Sequence, residues 1–273
     1  MAHSLLILTD FFEAANQALD YATNLAEPLG ARLVLLHVRR DSVLDPEMFT
    51  GELSNLSREA VALALNSMTR QLSVPVVAEV GHGRVAFAVA DAVSRHHPTL
   101  VVLGRPDHSA IPDELVQTTS LDVLRTSPYP MLVVPHQVAT TAPPRRVLLA
   151  VDGEEFTLGE HSSAIRDLFT VLGAELTVLH VTANEAATVD DATILDSVTR
   201  TGLTTDLPGV VRTRVVTGQN PVDGILAAAQ APEFDMVALI GRQRSVLGQL
   251  FHRSVTAQVL LHSQLPVLVL PAQ

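Results

Sequence analysis

The stretch LLILTDFFEAANQALDYATNLAEPLGARLVLLHV, residues 5–38, decides the fold class of this chain. It begins with an apolar run that ends at Asp10, continues through a segment with small and apolar residues at helical spacing, and closes on a second apolar run that ends in His37-Val38. Continuous apolar runs are typical of strands buried on both faces of a sheet, and a helix between two of them is typical of a parallel β-α-β unit. Gly30, directly after the helical segment, provides its stop.

The same landmarks recur in the second half of the chain, in the same order. LLILTD at 5–10 is matched by VLLAVD at 147–152, and ARLVLLHV at 31–38 by AELTVLHV at 174–181. Further on, LVVLGR at 100–105 is matched by ALIGR at 238–242, and YPMLVVP at 129–135 by LPVLVLP at 265–271. Repeated order and spacing predict an internal duplication, with one domain at 1–138, a second at 145–273, and HQVATTAPPRR at 136–146 as the linker.

Each copy alternates strands with helices, which predicts an α/β fold. We expect two tandem, open, doubly wound parallel-sheet domains of Rossmann-like type, each with strand order 3-2-1-4-5. The predicted strands are 4–9, 32–38, 75–80, 99–103 and 131–134, then 146–151, 175–181, 210–216, 236–240 and 267–270. The predicted helices are 13–29, 52–72, 84–96 and 114–126, then 158–172, 187–203, 221–231 and 248–262. Sheets of this kind bind ligands outside the carboxyl ends of their strands, where the strand order reverses.

Composition excludes several classes of function. The balance of 18 basic and 29 acidic residues gives a formal charge of -11, which repels the phosphates of nucleic acids, and aromatic residues for base stacking make up only 4%. The chain has no cysteine, so disulfides, thiolate metal sites and cysteine nucleophiles are excluded. The apolar run at 5–8 is far shorter than a membrane span of about 20 residues, so we expect a cytoplasmic protein without membrane contact.

Taken together, the repeated blocks resemble the universal stress protein family over nearly the whole chain, as two tandem copies with that family's adenine nucleotide alpha hydrolase-like fold. In nucleotide-binding members, the resemblance implies ATP at the switch in strand order. The Asp after the first strand lies near the adenosine, here Asp10 and Asp152. The residue after the His of the second strand contacts adenine through its backbone, here Val38 and Val181.

The family's phosphate loop is altered in both copies. The pattern is Gly-x-x-Gly, nine residues, then Gly-Ser/Thr, in which bare backbone amides approach the phosphates. The first copy keeps Gly104 but has Asp107 at the second glycine and Gln117-Thr118 at the final pair. In the second copy Gly241 is kept, and Arg244 and Arg253-Ser254 stand at the other two positions. We therefore expect no bound cofactor, and ATP as the ligand only under an alternative in which one pocket is retained.

The candidate ligand residues have plainer alternatives. Asp10 and Asp152 are equally suited to capping the next helix, and His37 and His180 are typical of core or turn histidines. The basic residues after the fourth strand of the second copy predict an anion site, a cross-domain pairing with Asp107, Asp113 and Glu114, or a solvated loop; they are Arg242, Arg244, His252 and Arg253.

No motif of a known catalytic mechanism is present, so we expect a non-catalytic protein of stress response or signalling. The sequence has no Gly-x-Ser-x-Gly elbow, no His-Glu-x-x-His and no Walker loop. The fifth strands, MLVVP and VLVLP, are apolar and would be exposed at the sheet edges. We therefore expect the two domains to pair within one chain, and a homodimer of the whole chain remains open.

Overall fold

The computed structural model describes residues 3–39, 57–107, 119–126, 129–183, 191–242 and 254–272. The first copy contains strands β1 to β5 at Ser4–Thr9, Arg32–Arg39, Val76–His82, Leu100–Arg105 and Met131–Pro135. Between them lie helices α1 to α4 at Glu13–Leu29, Arg58–Gln71, Val85–His96 and Thr119–Thr126.

The second copy repeats this order of elements. Its strands β6 to β10 are Arg146–Val151, Glu175–Thr182, Val211–Thr217, Met236–Arg242 and Val267–Ala272. Its helices α5 to α8 are Ser162–Leu172, Asp191–Thr199, Pro221–Ala228 and Val255–His262, and a short 3-10 turn at Gly159–His161 precedes α5. The strand bounds predicted from sequence agree with these to within two residues.

The strands of both copies form one ten-stranded sheet with the order β3-β2-β1-β4-β5-β10-β9-β6-β7-β8. The strand order 3-2-1-4-5 predicted for the first copy is confirmed, and the second copy has the equivalent order. Within each copy the strands are parallel, with Thr9 beside His37 and Val151 beside His180 at the carboxyl ends. The order reverses between β1 and β4 in the first copy and between β6 and β9 in the second, so these two places are the switch points.

The two copies meet at their fifth strands. β5 and β10 pair antiparallel, with Val133 beside Val267, Leu132 beside Leu268 and Met131 beside Val269. The apolar layers on the two sides of the sheet run through this junction. One layer combines α1, α2, α5 and α6, and the other combines α3, α4, α7 and α8.

The outer edges of the sheet, β3 and β8, carry ion pairs. Glu79 on β3 is held by Arg95 at 2.6 Å and by His96 at 3.0 Å. On β8, Arg212 pairs with Glu175 at 3.1 Å and Arg214 with Glu233 at 2.9 Å. Charges on edge strands disfavour pairing with the strands of other chains.

Several helix ends differ from the sequence prediction. The start predicted at 248 falls outside the described residues, and the described helix begins at Val255, where the side chain of Ser254 accepts the backbone N–H of Ala257 as an N-cap. The helix predicted to reach 203 ends at Thr199 and gives way to turns, with Gly202 at φ +76°. The helix predicted over 221–231 ends at Ala228. For the helix predicted to begin at 158, the first residues form the 3-10 turn Gly159–His161 instead of α-helix. The predicted starts at 52, 114 and 187 fall outside the described residues.

None of the helices in the described residues combines the length and the apolar character that crossing a membrane requires.

Replacing Tyr21 by Phe should stabilise the protein. The Tyr21 hydroxyl in α1 is buried and has no hydrogen-bond partner among the described residues. Burial, with a smaller contribution from the charge of Asp235, raises the pKa of Tyr21. A buried polar group without a partner costs about 1–3 kcal/mol, so Tyr21→Phe should raise the free energy of unfolding in urea by about 1 kcal/mol.

The control is Tyr129→Phe, which removes the hydroxyl of a partly exposed tyrosine and should leave stability nearly unchanged. A loss of stability in Tyr21→Phe would mean that its hydroxyl has a partner in solution.

Candidate functional site

The two switch points bring together the residues predicted from the strand ends. In the first copy Asp10 follows β1, and Gly104 and Arg105 end β4. In the second copy Asp152 follows β6, and Gly241 and Arg242 end β9. Each switch point therefore places one carboxylate and one guanidinium on neighbouring strands, but the two copies use them differently.

In the second copy an ion pair spans the switch point. The Arg242 guanidinium donates from Nε to one carboxylate oxygen of Asp152 at 2.9 Å and from Nη2 to the other at 2.8 Å. It also donates to the backbone carbonyl of Glu154 at 3.0 Å and to that of Glu155 at 3.1 Å. With both carboxylate oxygens and two carbonyls as acceptors, the Arg242 side chain is only 14% exposed. This pair lies across the switch point, the place at which such a sheet binds its ligands.

The electrostatics of this pair favour its charged form. Burial raises the pKa of Asp152, but hydrogen bonds from Arg242 and from the Glu154 backbone N–H outweigh burial and lower it. The same carboxylate raises the pKa of Arg242 through its hydrogen bonds. The ion pair is therefore intact at neutral pH.

The first copy has no such pair. Asp10 is exposed, and its carboxylate accepts the backbone N–H of Phe12 at 3.0 Å, which forms an Asx turn before α1. The equivalent turn in the second copy runs from the Glu154 backbone N–H to Asp152 at 3.0 Å. No described cation lies within ion-pair distance of Asp10, so its carboxylate remains accessible at the switch point.

Arg105, the counterpart of Arg242, points to the other copy. It is buried, and it donates to the carbonyls of Leu260 at 2.7 Å, of Leu261, and of Ser263 at 2.6 Å. These carbonyls belong to the end of α8, where a helix leaves acceptors without intrahelical partners and its dipole favours a cation. Burial lowers the pKa of Arg105 to about 10, an effect that the charge of Asp107 opposes, so the side chain is protonated at neutral pH.

His37 and His180 lie in the core rather than in an accessible site. Both are buried, and their Nδ1 atoms donate to backbone carbonyls, His37 to Thr9 at 2.9 Å and His180 to Val151 at 3.2 Å. The Phe11 ring lies 4.6 Å from the His37 ring. Burial lowers the pKa of His37, against the hydrogen bond to Thr9 and the charge of Asp10, which raise it. A neutral histidine that donates to a carbonyl positions the strand end.

The retained glycines have a steric reason to be glycine. A Cβ atom at Gly104 would lie 2.2 Å from the backbone oxygen of Ala14 in α1, and one at Gly241 would lie 2.8 Å from Cγ1 of Val269. Both residues are therefore needed for close packing whether or not a ligand binds. Val38 and Val181 are partly buried and pack against the apolar layer that includes α3, α4, α7 and α8.

Ser254 has a structural use as well, since its side chain caps α8 by accepting from Ala257 N at 3.1 Å. Three further candidates, Thr118, Arg244 and Arg253, lie outside the described residues, as do Asp113, Glu114 and His252. Within the described ranges no group of three or more His, Asp or Glu is arranged to hold a metal ion.

Arg242 is the member of the predicted basic cluster that the described residues include. Asp152 and two carbonyls of its own copy accept hydrogen bonds from all three of its guanidinium nitrogens. Because Arg244, His252 and Arg253 lie outside the described residues, the anion site, the cross-domain pairing and the solvated loop stay predictions. The alignment of LVVLGR with ALIGR places Arg105 at a strand end opposite Arg242, so the sequence marks its position. It does not indicate that the acceptors of Arg105 are carbonyls of the other copy.

The two arginines should differ in their contribution to stability. Arg105→Gln leaves buried carbonyls at the end of α8 without donors and should cost about 3 kcal/mol, because buried hydrogen bonds to charged groups contribute about 1.5–3 kcal/mol each. Arg242→Gln, whose partner Asp152 is 50% exposed, should cost about 1 kcal/mol at most. Urea unfolding of both variants measures the difference, and equal losses would contradict it.

The Asp152–Arg242 pair should make stability depend on pH in the acid range. The folded-state pKa of Asp152 is depressed, so the pair stabilises the fold above the unfolded pKa of about 3.9, and this contribution is lost as pH falls through the folded value. Asp152→Asn should therefore be less stable than the wild type at neutral pH, by less than about 1 kcal/mol because the pair is partly solvated, and the gap should close in acid.

The matched background for this measurement is Arg242→Gln. Adding Asp152→Asn to that variant should produce a smaller pH-dependent difference, because only the Glu154 backbone N–H then still favours the charged carboxylate. If Asp152→Asn lowers the free energy of unfolding equally in the wild type and in Arg242→Gln, the pH dependence does not come from the Asp152–Arg242 pair.

The comparisons with known proteins agree with this architecture. A model described as "Universal stress protein family" matches the chain twice, at residues 1–135 and 144–271. Over 147 residues the chain is 26% identical to the universal stress protein YxiE of Bacillus subtilis, a match that covers 49% of this chain and 99% of that protein.

Solved structures show the same fold across both copies. A universal stress protein from Archaeoglobus fulgidus is 18% identical and superimposes with a TM-score of 0.70 over 97% of each chain. A putative universal stress protein from Pseudomonas aeruginosa, 17% identical, has a TM-score of 0.60 and covers 99% of this chain and 94% of its own. Because the family model matches both halves, at the positions where the two sheets with their switch points lie, this chain belongs to the universal stress protein family as a tandem member.

Proposed function

We propose that this chain is a non-catalytic protein of stress response or signalling that works by binding and is not a strong ATP binder. The observation that carries the proposal is the Arg242 guanidinium, which holds both carboxylate oxygens of Asp152 across the switch point of the second copy. A nucleotide that used Asp152 there has to displace this arginine from four hydrogen bonds. That cost reduces affinity in addition to the loss of glycines from the phosphate loop.

The first copy supports the proposal for a different reason. Asp10 is accessible at its switch point, but Asp107 stands where the family pattern has its second phosphate-binding glycine. A carboxylate at that position repels phosphate, and its side chain takes up space that the backbone approach needs. An accessible Asp10 nevertheless favours this copy for the alternative function, nucleotide binding in one retained pocket.

Pairing of the two copies within one chain is part of the proposal. It is supported by the antiparallel ladder between β5 and β10 and by the three carbonyls of the α8 end that accept from Arg105. The partners we propose are proteins or small molecules rather than nucleic acids, in keeping with the formal charge of -11. A cytoplasmic location is also proposed, and the absence of cysteine is compatible with a reducing compartment.

Thermal unfolding with and without millimolar ATP and Mg²⁺ tests the proposal. A ligand at about 100 times its Kd stabilises the native state by about 2.7 kcal/mol, which is a shift of several degrees in Tm for a chain of this size. We expect a shift of less than about 1 °C at these concentrations. A clear rise in Tm, or nucleotide that copurifies with the protein, would overturn the proposal in favour of nucleotide binding.

Two matched variants assign any nucleotide that does bind. Asp10→Ala and Asp152→Ala remove the equivalent carboxylate from each copy. Under the alternative function, Asp10→Ala abolishes the shift, whereas Asp152→Ala leaves it unchanged.

A further inference from the structure

A cavity of about 480 Å³ lies at the edge of the sheet opposite the switch points. It opens where the segment that links the two copies crosses the amino ends of the second copy's strands. Arg146 begins β6, Glu175 begins β7, and Asp235 directly precedes β9. The wall contributed by the linking segment includes Thr140, Ala142, Pro143 and Arg145. This volume is in the range of small-molecule sites in proteins.

The linking segment is held in place over the cavity. The side-chain amide of Asn24, from α1 of the first copy, donates to the Thr141 carbonyl at 3.1 Å and to the Thr141 hydroxyl oxygen at 3.0 Å. The backbone N–H of Ala142 donates to the Thr140 hydroxyl oxygen at 3.1 Å. At its far end, the Arg145 backbone N–H donates to Asp235 of the second copy at 3.1 Å. The linking segment is therefore held by contacts to both copies, and the hydrogen of the Thr140 hydroxyl is left to donate.

The carboxylates of the wall are already engaged. Asp235 accepts the backbone N–H groups of Arg145 at 3.1 Å and Arg146 at 2.9 Å, and the Arg146 side chain from Nε at 3.2 Å. Burial raises the pKa of Asp235, but these hydrogen bonds, that of the Arg146 side chain first, outweigh it and lower the pKa. Glu175 pairs with Arg212 at 3.1 Å. Both carboxylates therefore already have a cationic partner.

Among the charged residues that line the cavity, Arg145 is left without an ion-pair partner in the described residues. Its backbone N–H is bound to Asp235, but its exposed guanidinium has no carboxylate partner among the described residues. With Asp235 matched by Arg146 and Glu175 by Arg212, the cavity carries one uncompensated positive charge in a protein whose formal charge is -11.

We propose that this cavity binds a small organic carboxylate. A guanidinium recognises a carboxylate through two parallel N–H donors, and Thr140, which also lines the cavity, offers a hydroxyl donor. The single positive charge left after these pairings matches one negative charge, which favours a monoanion over phosphate. Ala142 and Pro143 supply apolar surface for the rest of the ligand. The site lies away from Asp10 and Asp152, so it does not depend on the proposed function.

Titration of the protein with benzoate, followed in ¹H–¹⁵N spectra at neutral pH and low salt, tests this proposal. We expect millimolar binding with shifts concentrated at the amides of Ala142, Gly173 and Glu175, which line the cavity. Arg145→Gln should weaken binding about tenfold, the equivalent of about 1.4 kcal/mol, by removing the charged donor pair. Benzamide, the neutral isostere of benzoate, should bind the wild type no more tightly than benzoate binds Arg145→Gln.

The control is Arg70→Gln, which makes the same change of charge at an exposed position in the last turn of α2 and should leave benzoate binding unchanged. Absence of benzoate-dependent shifts in the wild type overturns the proposal. It is equally overturned by equal affinity in Arg145→Gln, or by equal affinity for benzamide. No nucleotide is present, so failure here leaves the ATP experiment unaffected.

Discussion

The antiparallel ladder between β5 and β10 is the contact on which the rest of the structure depends. Each copy taken alone ends its sheet on an apolar strand, and such a strand exposes both unpaired backbone groups and apolar side chains. Pairing Met131, Leu132 and Val133 with Val269, Leu268 and Val267 removes both edges at once. It also joins the apolar layers on each side of the sheet, so that the helices of the two copies share their cores.

The arginine that ends the fourth strand of each copy follows from this arrangement. At Arg105 the neighbouring helix end belongs to the other copy, and three carbonyls there offer acceptors that a buried guanidinium needs. At Arg242 the acceptors come from its own copy, through Asp152 and the turn that follows it. The two arginines occupy equivalent sequence positions, and each guanidinium is shielded from solvent and needs hydrogen-bond acceptors. Each meets that need with different partners.

Much of the fold could be predicted from the sequence, because apolar runs and helical spacing depend on local burial. The repeated strand ends also located both switch points. The Asp152–Arg242 pair could not be predicted, because its residues are far apart in the chain and the direction of a guanidinium depends on which acceptors the fold places near it. The capping role of Ser254 was also not predicted, because a serine that opens a helix and a serine that binds phosphate both present a hydroxyl before helical residues. The cavity wall that includes Arg145 could not be predicted either. It depends on the path of the linker, and a segment without helical or strand periodicity does not reveal its path in the sequence.

Joining two copies in one polypeptide changes how such a protein can evolve. In an assembly of identical subunits, any substitution appears on both sides of the two-fold axis and has to be tolerated in both places. Here a substitution in one copy leaves the other as it was. One half is thereby free to hold the two copies together, as Arg105 does, while the equivalent arginine of the other half pairs with a carboxylate of its own copy.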